Sequence, residues 1–132
     1  MAGETDLSIL LKNMLPILNE GDYVFCQLST QKMPNSDEIL MIFKEKEGIT
    51  LILEKSVAQK YGFDSQHLFA WITLQVHSSL AAVGLTAAFS DALANENVSC
   101  NVVAAYFHDH IFVPKVDAKK ALNILDNLKF KV

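Results

Sequence analysis

The chain is poor in the residues that build disulfide scaffolds or redox centres. It has two cysteines in 132 residues, Cys26 and Cys100, and they form no Cys-x-x-Cys pair. Two such thiols exclude a disulfide framework and read as buried, reduced side chains. No apolar run approaches membrane-spanning length, and the opening MAGETDLS lacks the basic segment and apolar core of a secretory signal. A cytoplasmic, membrane-free protein is the expectation. Basic residues are scattered and the formal charge is -4, which argues against nucleic acid as a partner. Neither a Walker phosphate loop nor a GxGxxG dinucleotide motif occurs, so phosphotransfer and hydride transfer have no support.

What is present is apolar. Hydrophobic residues make up 51 % and charged residues 20 % of the chain, which suits a folded domain with a sizeable interior. Thr5 or Asp6 can cap a first helix carrying Leu7, Leu10, Leu11 and Met14 on one face, with Pro16 and Gly21 bracketing its exit. Residues 22–28 read as a strand and the polar stretch 29–37 as a loop around Pro34. Residues 39–44 and 49–53 form two apolar runs about Glu45-Lys46-Glu47-Gly48, a hairpin pattern. A short helix follows, capped by Ser56 and ended by Gly62.

The second half predicts a strand over 70–76 and a helix over 79–94, with Leu85, Phe89 and Leu93 at four-residue spacing. Strands over 98–106 and 111–113 flank a His108-Asp109-His110 turn. Asp117 caps a last helix whose stripe is Ala118, Ala121, Leu122, Leu125 and Leu128, and Phe130 and Val132 suit a closing strand. Lys119 and Lys120 read as a solvated helix face. The order strand-helix-strand-strand-helix-strand predicts a ferredoxin-like α+β sandwich. Its open sheet has edges that dimerisation can cover.

Polar residues gather where the 70–76 strand enters its helix. Free amides there favour a carboxylate, and Ser78 and Ser79 can either bind it or cap the helix. Gly84, placed one turn inside that helix, permits close packing or ligand approach. The Asn101 amide can read a polar metabolite or cap the turn at 95–97. His77, His108, Asp109 and His110 supply the donor types of a zinc site, which keeps a metal-assisted hydrolase as an alternative.

Three segments carry a family resemblance: WITLQVHSSLAAVGLTAAFSDALANENVSCNVVAAYFHDHIFVP from Trp71 to Pro114, YVFCQL, and GITLILEK. With them the chain resembles the ACT-domain superfamily, and within it small bacterial tandem ACT-like proteins. The resemblance implies an atypical N-terminal unit, residues 1–64, and a C-terminal ACT domain, residues 65–132. It also implies a non-enzymatic regulatory role and needs no cofactor. By family pattern a small amino acid would bind at His77, Ser78, Ser79, Leu80, Gly84, Asn101 and Val102. A homo-oligomer or a regulated protein partner would receive the signal. Many ACT sequences place Asp-x-Pro-Gly at this corner, where the chain has Val76-His77-Ser78-Ser79. A scaffold without a retained ligand site is therefore the remaining alternative.

Overall fold

The computed structural model describes residues 6–76 and 83–130. In chain order the elements are helix α1 (Leu7–Asn13), strands β1 (Leu15–Leu18), β2 (Tyr23–Leu28), β3 (Met41–Lys44) and β4 (Ile49–Glu54), helix α2 (Lys55–Lys60), strand β5 (Phe69–Gln75), helix α3 (Leu85–Asn95), strands β6 (Asn101–Ala104) and β7 (Asp109–Pro114), and helix α4 (Ala118–Asp126). They form two compact units: Glu20–Ala70, and a second that joins Met1–Asn19 to Trp71–Val132. No helix among the described residues is long and apolar enough to cross a membrane.

In the Glu20–Ala70 unit, β3, β4 and β2 form an antiparallel ladder, with Tyr23 opposite Glu54 and Ile42 opposite Leu51. Alternation sends Val24, Cys26, Leu51 and Leu53 to one face, where they pack with Ala58 and Phe63. The helix of a regular ferredoxin-like unit that would join β2 to β3 is replaced by an irregular segment holding one short 3-10 turn, Ser36–Glu38. Glu38 fastens the segment: its carboxylate accepts from Lys60 Nζ at 2.8 Å, from the Tyr61 hydroxyl, and from Asn35 N at 3.1 Å. Helix α2 starts one residue before the expected Ser56 cap. Ser56 lies inside it and donates weakly to Glu54 at 3.4 Å. Gly62, at φ +80°, ends the helix in the left-handed region.

The other unit carries strands in the order β1-β5-β7-β6. Asp6 caps α1, its Oδ1 accepting from Ser8 N at 3.0 Å and Ile9 N at 3.3 Å. Residues Leu15–Leu18, expected only as a helix exit, are a strand running antiparallel to β5, with Leu15 opposite Gln75 and Leu18 opposite Ile72. Pro16 is tolerated because a strand laddered on one side needs only half its amide donors. Residues Asn127–Phe130 form a 3-10 turn where a closing strand was expected, and Val132 lies outside the described residues. β1 takes the closing strand's place beside β5 although it comes first in the chain.

Helix α4 packs on β1 and β7 of this sheet, α3 packs on α4, and α1 packs on α3. The core of this unit includes Leu10, Phe89, Leu93, Ala121 and Leu125 from the helices and Ile72, Leu74, Ile111 and Val113 from the strands, each at most 1 % exposed. Asp117 occupies the cap position of α4 but makes no side-chain capping bond. Lys120 donates to the Glu96 carbonyl at 2.6 Å, closing the end of α3 with a cation where the helix dipole favours one. Both units are ferredoxin-like α/β sandwiches.

Candidate functional site

Of the predicted corner, His77, Ser78, Ser79 and Leu80 lie outside the described residues. Gly84, Asn101 and Val102 are described. Gly84 is not one turn inside α3: it stands at the N-cap, because at φ +98° it cannot continue a right-handed helix. A Cβ added there would come within 3.2 Å of Leu7 Cδ2. The left-handed backbone and the close approach of Leu7 together account for a residue without a side chain.

Asn101 opens β6, opposite Phe112, and its Nδ2 donates to the Phe112 carbonyl at 3.2 Å. That bond crosses the ladder, so the amide does not cap the 95–97 turn. The turn closes on itself instead: Val98 N donates to Leu93 O at 3.0 Å and Asn97 sits at φ +60°. Val102 faces Ile111 across the same ladder and is partly exposed.

The histidines fall differently from the expected turn. The reversal between β6 and β7 is made by residues 105–108, with Ala105 N donating to His108 O at 3.1 Å. Asp109 and His110 belong to β7. Alternation along β5 sends Ile72 and Leu74 to the core and Trp71 and Thr73 to the opposite face. On that face Trp71 Nε1 donates to His110 Nδ1 at 3.0 Å, and Thr73 Oγ1 lies 3.1 Å from the same nitrogen. An indole N–H can only donate, so Nδ1 accepts and the imidazole proton rests on Nε2. Asn19 extends the network, its Nδ2 donating to Thr73 Oγ1 at 2.9 Å and to Trp71 O at 3.2 Å. Phe112 stacks with Trp71, their ring centroids 6.4 Å apart.

Burial sets the electrostatics. It holds His110 below the usual imidazole range, with neighbouring His108 lowering it further and Asp109 opposing. Burial also raises the Asp109 carboxyl, against the pull of His110 and His108. His108 Nδ1 lies 3.4 Å from the Val76 carbonyl, which ties the end of β5 to the β6–β7 hairpin. The rings of His108 and His110 are 6.4 Å apart and edge-to-face. Among the described residues no group of three or more His, Cys, Asp or Glu side chains is arranged to hold a metal ion. Each ring has its Nδ1 engaged within the protein, that of His110 by Trp71 and Thr73 and that of His108 by the Val76 carbonyl.

Sequence reasoning found His108, Asp109, His110 and Asn101 but missed Trp71, Thr73 and Asn19 as their partners. The two-residue spacing of Trp71 and Thr73 was a usable signal. Asn19 gave none, because its place depends on β1 pairing with β5.

The described residues thus present a ferredoxin-like sheet whose polar face is hydrogen-bonded within itself. Comparison with known proteins agrees. A family model described as ACT domain matches residues 2–70, and a second model of the same description matches residues 69–127. A crystal structure from Vibrio cholerae, described as a possible transport protein of unknown function, is 48 % identical, with 93 % of this chain and 95 % of that chain covered and a TM-score of 0.81. The chain belongs to the ACT-domain family and carries two ACT domains in tandem. An Agrobacterium tumefaciens structure shares the fold at 16 % identity, covering 88 % of this chain and 89 % of that one with a TM-score of 0.69. The regulatory subunit of aspartate kinase from Thermus flavus does so at 12 % identity, covering 86 % and 95 % with a TM-score of 0.63. No curated protein matches significantly.

Proposed function

We propose that the protein is an amino-acid-responsive regulatory module that acts through association of domains or subunits, without covalent chemistry. The observation that carries this reading is that ACT models match both halves of the chain. The ligand corner is formed by His77, Ser78, Ser79, Leu80, Gly84, Asn101 and Val102. Backbone amides receive the carboxylate of a small amino acid, and exposed Asn101 reads a second polar group. The fold of the Thermus flavus subunit supports a regulatory setting by analogy alone.

A ligand shifts an arrangement only by its difference in affinity between two arrangements, so the signal requires at least two. Here they are a free and an associated state of a cytoplasmic homo-oligomer, or of the protein with a regulated partner. The repeat boundary is placed at 64/65, in the connection between α2 and β5. Calorimetry against a panel of amino acids tests the ligand. At least one should bind saturably without added metal, and Asn101→Ala should weaken it about tenfold while the protein stays folded. Absence of binding across the panel leaves the scaffold reading. Sedimentation over a concentration series tests the oligomer, and a monomer throughout the micromolar range refutes it.

A further inference from the structure

The two units treat the strand beside their first central strand differently. In one, β1 and β5 pair over four residues, Leu15 to Leu18 against Gln75 to Ile72. In the Glu20–Ala70 unit, β2 meets β5 at Tyr23 opposite Phe69, and the chain leading into Phe69 then diverges from β2. The divergence leaves a cleft of about 290 Å³ lined by Val24, Phe25, Asp64, His67 and Phe69. It lies wholly within one compact unit and shares no residue with the corner proposed above.

The lining has a definite chemistry. Phe25 and Phe69 sit edge-to-face, ring centroids 5.1 Å apart and planes at 69°. Such a pair presents ring face as well as edge, and an aromatic face carries the negative end of the ring quadrupole. Asp64 adds a full negative charge. Its position is set locally, since Oδ1 accepts from Gln66 N at 3.0 Å and this turn fixes the carboxylate against the cleft. His67 adds a nitrogen able to accept a hydrogen bond.

These groups select by charge and size. An anion would meet a carboxylate and ring faces, all of negative potential. One carboxylate and one imidazole are too few for the coordination sets of zinc or calcium. A neutral apolar molecule would fill the volume but leave Asp64 unpaired beside it. A primary ammonium on a short aliphatic stem satisfies all of them: the charge pairs with Asp64, its N–H groups donate to carboxylate and imidazole, and the stem lies against the phenyl rings. The volume falls below that of drug-sized pockets and suits a stem of about four to six carbons.

We propose that this cleft is a binding site for a small aliphatic primary ammonium. Titration of the full chain with n-butylammonium chloride, followed by amide NMR, tests it, with 1-butanol as the neutral isostere. Saturable shifts are expected at residues 24–26 and 64–69, with 1-butanol at least about fivefold weaker. Asp64→Asn should weaken n-butylammonium by about fivefold or more and leave 1-butanol unchanged. Phe25→Leu should weaken both. Asp64 is exposed, so the Asn variant keeps its fold, and its dispersed spectrum verifies that. Equal affinity for the two probes, no effect of Asp64→Asn, or shifts that never saturate would each overturn the proposal. None of these outcomes bears on the amino-acid corner, which other residues form.

Discussion

Substituting Gly84 by alanine separates the two uses a glycine could have at the head of α3. Its backbone stands at φ +98°, a region that costs an L-residue about 1–2 kcal/mol. The new Cβ would also lie 3.2 Å from Leu7 Cδ2, so Leu7 must move by a few tenths of an ångström. Leu7 is only half-buried and its far end is flexible, which limits that cost to about 0.5 kcal/mol. The sum is a loss of about 1.5–2.5 kcal/mol. With an unfolding entropy of about 2.1 cal/mol/K per residue, this lowers Tm by roughly 5–9 °C. Scanning calorimetry of the wild type and variant reads it directly. Gly84→Asn should cost less, since asparagine tolerates positive φ better than alanine. In a Leu7→Ala background the steric share of the Gly84→Ala cost should vanish while the larger, conformational share survives. A Tm change below about 2 °C would refute the backbone argument. Loss of the entire cost in the Leu7→Ala background would show that contact alone selects glycine.

Two further outcomes follow from titratable groups. Lys60, Tyr61 and the Asn35 amide hold the Glu38 carboxyl down to about 2, against roughly 4.3 when unfolded. The clip therefore stabilises fully above the unfolded value and is lost as pH falls through the folded one. Melting curves between about pH 5 and 2 should show the advantage of the wild type over Glu38→Gln shrinking with acid, and a constant difference would refute the assignment. Burial pushes the thiols of Cys26 and Cys100 up to about 11. At neutral pH only about one in ten thousand of either is thiolate, so a thiol-specific disulfide reagent should modify the native protein orders of magnitude more slowly than the denatured chain. Equal rates would place at least one thiol in an open, activating environment.

Local pattern determined much of this protein by itself. Four-residue spacing marked Leu85, Phe89 and Leu93 as the buried stripe of α3, because that periodicity follows from helix geometry alone, and β-favouring or apolar runs marked β2, β4 and β5 as strands. The Trp71–Pro114 segment carried the family. Pairing between distant segments was decided only in three dimensions. Leu15–Leu18 is short and contains a proline, so it becomes a strand only because β5 offers a free ladder beside it. That capture leaves the C-terminal residues Asn127–Phe130 to end in a 3-10 turn. The same holds for the site chemistry. Which atom each histidine meets depends on register: Trp71 and Thr73 reach His110 because β5 and β7 are neighbours in the sheet, and Asn19 joins them because β1 lies on the other side of β5. Such neighbours are tens of residues apart in the chain. Sequence spacing carries no information on them until the strands are paired, since a hydrogen bond is sensitive to tenths of an ångström and a periodicity only to which face a side chain takes.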